Sequence, residues 1–156
     1  MADRPHLVVP LLKAFYWFDE GLQAYLRHRG WRGVSRPQSM VMANVVMGVT
    51  RPTDIARNLG VSRQAIHVTI GQMIKKGMIE LRDDPNDRRG KTVVISATGR
   101  AMRRDAQTAM VILTKALQSR IGARHIAALH AAFAADWGRP PTDYPPASKG
   151  RRKGRG

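Results

Sequence analysis

Gly60 stands between two short stretches, residues 53–59 before it and residues 62–76 after it, that read as helices joined by a very tight turn, with Ser62 placed to cap the second. Such a pair needs a small residue where the helices cross, an apolar residue in the turn, and apolar side chains holding the second helix against the first. Ala56, Val61 and the set Ile55, Leu59, Ile66, Ile70, Met73 and Ile74 meet these needs in order. The other face of the second helix shows Arg63, Gln64, His67, Val68 and Gln72. Arginine and glutamine suit bidentate contacts with guanine and adenine edges, and valine suits a thymine methyl. The face is therefore expected to read bases in a DNA duplex.

After Gly77 the hydrophobic period changes. Met78, Ile79 and Leu81, and later residues 92–95, form short β-prone runs separated by a polar, turn-forming stretch at 83–90. This predicts a hairpin with a charged tip, Asp84-Pro85-Asn86-Asp87-Arg88-Arg89-Gly90-Lys91, whose cations could enter a minor groove or straddle phosphates. Asp87 is near enough in sequence to fix an arginine of the tip by a charge-assisted hydrogen bond, which would support the wing. Arg51, Arg57, Gln72, Arg88, Arg89 and Lys91 are the candidates for contacts with the DNA backbone or minor groove.

The flanks are helical. From residue 9 to 29, Leu11, Leu12, Phe15, Phe18, Leu22, Tyr25 and Leu26 recur at steps of three and four, and Gly30 and Gly33 end the pattern. A further helix starts near Ser35 with Pro37 in its first turn, where the missing amide hydrogen costs nothing, and turns Met40, Val41 and Val45 inward. Two more helices are expected at about 98–120 and 123–137, separated by Gly122. The predicted architecture is mainly α with a small β-hairpin wing, divided into an N-terminal dimerisation helix (1–34), a winged helix-turn-helix (35–97), C-terminal dimerisation helices (98–137) and a disordered basic tail (138–156).

Charge agrees with a polyanionic partner. The 156 residues carry a formal net charge of +16, which favours nucleic acid over an acidic small molecule. Part of that excess belongs to Lys149, Arg151, Arg152, Lys153 and Arg155 in the tail, so charge alone does not argue for sequence reading. No apolar stretch approaches the roughly 20 residues that span a bilayer, and no secretory leader pattern is seen, so a soluble, cytoplasmic protein is expected. With no cysteine, disulfides, thiol switches and cysteine-based zinc sites are excluded. His125 and His130 are five residues apart, on poorly matched helix faces, and do not make a metal site. Without a phosphate loop, a nucleophile elbow or a carboxylate pair in a suitable context, neither an enzyme nor a cofactor is expected.

In order and spacing, Val61-Ser62-Arg63-Gln64-Ala65-Ile66, Met73-Ile74-Lys75-Lys76-Gly77-Met78-Ile79, Asp84-Pro85-Asn86-Asp87-Arg88-Arg89 and Ser96-Ala97-Thr98-Gly99 resemble MarR-type regulators. That resemblance implies a triangular homodimer in which helices from both chain ends interlock and two winged domains read successive major grooves of a pseudopalindromic site. It places Ser62, Arg63, Gln64, His67 and Val68 against bases and Arg88 or Arg89 in the minor groove. It further implies repression relieved by a small, often phenolic, effector between the dimer region and the winged domain. Phe15, Tyr16, Trp17 and Phe18 lie on the helix that would border that ligand pocket and the dimer interface, with plain packing the favoured role. Two features depart from the family pattern: Gly71 falls inside the proposed recognition helix where a larger side chain is usual, and the basic tail extends beyond the usual outline. An architectural, chromosome-coating protein with little sequence preference is the alternative that the charge supports.

Overall fold

The computed structural model describes residues 6–144, apart from the side chain of Arg88. Residues 145–156, most of the expected basic tail, lie outside the described residues. The elements in order are α1 (Val8–His28), α2 (Arg36–Val46), α3 (Pro52–Leu59), α4 (Arg63–Lys75), β1 (Ile79–Asp84), β2 (Asp87–Ile95), α5 (Ala97–Ile121) and α6 (Ala123–Ala134). The chain is thus mostly helical with one antiparallel hairpin. It divides into two compact units, Met1–Leu117 and Gln118–Gly156. No helix among the described residues is long and apolar enough to cross a membrane.

The helix boundaries follow from local chemistry. At the end of α3, Gly60 adopts φ +64°, a left-handed conformation that costs glycine little, and the Val61 N–H reaches back to Ala56 O at 3.1 Å. Two residues later Ser62 caps α4, its Oγ accepting from the Ala65 N–H at 3.1 Å. Between them these two devices set the tight turn. At the start of α2 the Ser35 N–H donates to Gln38 Oε1 at 3.3 Å, and Pro37 sits in the first turn.

A single core in the first unit holds the winged segment together. Val41 and Met42 of α2, Ile55 and Ala56 of α3, Ile66, Ile70 and Met73 of α4, and Ile79 and Val93 of the hairpin are buried with Leu26 of α1 and Met102 of α5. Each fully buried isoleucine or leucine contributes about 1.5–3 kcal/mol relative to exposure. Polar links accompany the packing: Asn58 Nδ2 donates to Asn44 Oδ1 at 3.0 Å, joining α3 to α2. The Asp105 carboxylate of α5 accepts from Trp31 Nε1 at 2.7 Å and from Arg29 Nε at 3.2 Å, tying down the chain that leaves α1.

Three expectations need correction. The sequence places Ile74 in the shared core and Val61 as the apolar plug of the turn, but both are exposed. Val61 is held in the turn by its backbone, and Ile74 lies one residue past the buried stripe Ile66, Ile70 and Met73. The final helix stops at Ala134 rather than at 137, and Trp137 folds back so that its Nε1 donates to Ala132 O at 2.7 Å. The hairpin turn is also much tighter than an eight-residue polar tip. Asp84 pairs with Asp87 around Pro85 and Asn86, while Asp83 pairs with Lys91.

Candidate nucleic-acid interface

Steps of three and four along α4 put Arg63, Gln64, His67 and Val68 on the side away from Ile66, Ile70 and Met73. All four are exposed, Val68 by 56%. Ser62, exposed at the helix start, spends its hydroxyl on the cap. Gln72 is exposed too, and its Oε1 accepts from Gln38 Nε2 at 3.4 Å, a long contact across to α2. Gly71 lies among these residues, in helical backbone, and an added Cβ there would meet no heavy atom within 4 Å. Relative to alanine it costs the helix roughly 1 kcal/mol.

The wing is fixed at its root. Val93 N–H donates to Thr50 O at 2.9 Å, so the link between α2 and α3 runs beside β2. Next along that link, Arg51 Nε donates to Asp84 Oδ2 at 2.6 Å, and the other oxygen of Asp84 accepts from the Asn86 N–H at 2.9 Å. Asp84 is only 8% exposed. The Asn86 amide and then the Arg51 guanidinium hold its carboxyl below the usual carboxylate range, and the same pairing raises Arg51.

In the hairpin register, residues 88–90 have no opposite number between the Asp84–Asp87 and Asp83–Lys91 pairs. Arg89 therefore sits in a bulge, exposed, with its N–H donating to Asp87 Oδ1 at 3.0 Å. The backbone of Arg88 shares this bulge, and its side chain lies outside what is described. Lys91 Nζ reaches Asp83 Oδ1 at 2.5 Å across the ladder, and Arg57 pairs with Asp54 at 3.1 Å within α3. Both pairs are largely exposed, and such pairs are weak enough for a phosphate to compete with the carboxylate.

Among the described side chains at the wing tip, Asp84 holds Arg51, and Asp87 orders the bulge by accepting from the Arg89 backbone amide. Arg51 anchors the wing with a side chain that remains 42% exposed. The Asp84–Arg51 pair escaped the sequence because its members are 33 residues apart. The one local hint was Asp84-Pro85-Asn86, a pattern in which an aspartate caps its own turn.

Residues 32–90, from the approach to α2 through the wing bulge, match the model of the MarR family. Over those residues the chain resembles the winged helix of that family. Wild-type MarR from E. coli in its apo form is 21% identical, with 84% of this chain and 96% of that chain covered at a TM-score of 0.66. A transcriptional regulator from Thermotoga maritima is 18% identical, covering 84% and 90% at 0.61, and a probable transcriptional regulator from Pseudomonas aeruginosa is 16% identical, covering 83% and 96% at 0.60. At these identities the likeness is one of fold. No curated protein matches the chain in sequence.

Beside the winged helix, α1, α2 and α5 enclose an open apolar cavity of about 550 Å³, with Leu22, Leu26, Met42, Val46, Met102 and Met110 in its walls and Ser39, Arg103 and Gln107 as polar lining. None of Phe15, Tyr16, Trp17 and Phe18 lines it. Trp17 packs edge-on against Phe18 at 5.0 Å, and exposed Tyr16 lies 4.8 Å beneath the Arg36 guanidinium, which also pairs with buried Asp19 at 2.6 Å. Sequence periodicity did not reveal the cavity, because its lining comes from alternate turns of three separate helices. Among the described residues no group of three or more histidines and carboxylates could hold a metal.

Proposed function

We propose that the protein is a sequence-specific transcriptional regulator, most simply a repressor, that grips a pseudopalindromic duplex as a homodimer. The observation that carries this reading is the exposed α4 face of Arg63, Gln64, His67 and Val68 on a winged helix whose hairpin bulges at an arginine. In the bound state the start of α4, from Ser62 to Val68, enters the major groove and supplies the base contacts. The bulge, with Arg89 and by sequence Arg88, enters the adjacent minor groove, while Arg57, Gln72 and Lys91 lie along phosphates. Arg51 acts by holding the wing.

A small aromatic effector that relieves repression would occupy the cavity between α1, α2 and α5 rather than the Phe15–Phe18 run. The cavity walls offer an apolar body with a few polar groups, the usual make-up of a small-molecule site.

Selection of bound fragments from random DNA, followed by competition with unselected duplex, tests the core claim. A regulator retains a preference of at least ~10³-fold for its selected site. The net charge of +16 favours a second reading, a coating protein with little sequence preference, and near-equal competition by random duplex would establish it. Within the leading reading, Gln64→Ala or His67→Ala relaxes preference at individual positions. Arg89→Ala weakens binding on every sequence and lowers its salt dependence by about one phosphate contact. Equal losses on all sequences for both sets would remove the division between helix and wing.

A further inference from the structure

One stripe of α4 runs Gln64, His67 and Val68, Gly71, Lys75, one turn after another, with Gly71 half-buried and the others exposed. Its third turn is bare. The space above Gly71 is open, its backbone is ordinary helix, and alanine would fit there and favour the helix more. Neither internal packing nor backbone conformation in this chain accounts for the glycine. A reason for it therefore lies in something that approaches the helix from outside.

Two neighbours indicate what that is. Lys75, one turn further on, is exposed and joins no ion pair among the described residues. The adjacent Lys76, by contrast, is committed to Gln38 Oε1 at 3.1 Å and to the Gly33 carbonyl. A bare turn followed by an uncommitted cation is complementary to an anion carried on a bulky chain. In a helix that docks by its N-terminal end, the first turns meet base edges and later turns approach the groove wall, where the phosphates lie.

We propose that Gly71 is the point of closest approach between α4 and the sugar–phosphate backbone of bound DNA, with a phosphate over the bare turn and Lys75 beside it. This rests on the regulator reading above and adds two residues to its interface. A methyl group at 71 holds that phosphate away from the helix and weakens the backbone contact there. Affinity then falls on every sequence, since a backbone contact carries no base information.

The test compares the full-length chain with Gly71→Ala and Lys75→Gln by thermal unfolding, by sedimentation, and by titration of the selected site and of a random duplex at several salt concentrations. Gly71→Ala is expected to melt about 2–4 °C higher, to keep the wild-type oligomeric state, and to bind both duplexes about tenfold more weakly. Lys75→Gln is expected to reduce the salt slope by about one. The inference is overturned if Gly71→Ala melts higher yet binds DNA as wild type does, if its loss is confined to one base position, if its oligomeric state changes, or if the salt slope of Lys75→Gln is unaltered. Wild-type protein that binds no duplex would overturn the regulator reading and this inference with it, whereas a binding wild type beside an indifferent Gly71→Ala removes this inference alone.

Discussion

Asp84 and Asp105 show how single carboxylates hold parts of this molecule in place. The Asn86 amide and Arg51 hold Asp84 below the usual carboxylate range, and Trp31 and then Arg29 do the same for Asp105. A carboxyl whose folded-state pKa is depressed adds stability above its unfolded-state value, near pH 4, and loses it as pH falls through the folded value. Asp84→Asn and Asp105→Asn should therefore melt below wild type at pH 7, with the gap closing as the pH is taken below about 4. A gap that persists undiminished in acid would show that shape, not charge, is what each position supplies. Asp84→Asn should also weaken DNA binding on all sequences alike, because it loosens the wing without touching a base. At this scale the sequence was informative where side chains act alone: the 3.6-residue period was enough to expose Gln64, His67 and Val68. It was silent where a side chain acts through a distant partner, as with Asp84 and Arg51, since formal charge says nothing about which opposite charge folding brings near.

Between elements, α5 begins in close contact with the hairpin. The Ser96 hydroxyl accepts from the Gly99 N–H at 2.9 Å and donates to Met78 O at 2.9 Å, so one side chain caps α5 and clips it to the start of β1. Gly99 lies so close that an added Cβ would fall on the Met78 carbonyl and within 2.8 Å of Ile95 Cγ2. Backbone on one side leaves nothing flexible to yield, so Gly99→Ala should destabilise by at least about 1–3 kcal/mol, and Ser96→Ala by about 1 kcal/mol. Denaturant unfolding measures both, and a neutral Gly99→Ala would mean that α5 can slide away from the hairpin. The Ser96-Ala97-Thr98-Gly99 run was visible in the sequence as a family-like motif; its physical reason was not. Helix ends were legible because glycine stops and serine caps act within a few residues. The wing was less so: turn-forming residues fill 83–90, and composition cannot tell which two make the turn and which three bulge.

At the scale of the whole molecule, each of the two units carries exposed apolar surface. In α1, Val8, Val9, Leu12, Phe15 and Tyr16 are exposed; in the second unit, Phe133 is 52% exposed with Trp137 packed 5.9 Å from it. Patches of this kind mark places where another surface belongs. Amphipathic periodicity placed Leu12 and Phe15 on an apolar face of α1, yet the same period describes a helix buried in its own core and one buried against a second copy. The proposed homodimer, with two copies associating through the terminal helices, would cover these faces and match the proposed pseudopalindromic site, whose half-site centres would lie about 34 Å apart. A charged residue at the interface should then separate the copies while leaving the winged helix folded. Leu12→Asp and Phe133→Asp are expected to sediment as monomers at concentrations where wild type is dimeric. Each should bind an isolated half-site much as one wild-type winged helix does, and each should lose the ~10²–10⁴-fold gain that two linked contacts confer on the full site. Variants that stay dimeric, or monomers that keep full-site affinity, would place the interface elsewhere and leave the exposed faces of α1 and α6 to a different partner.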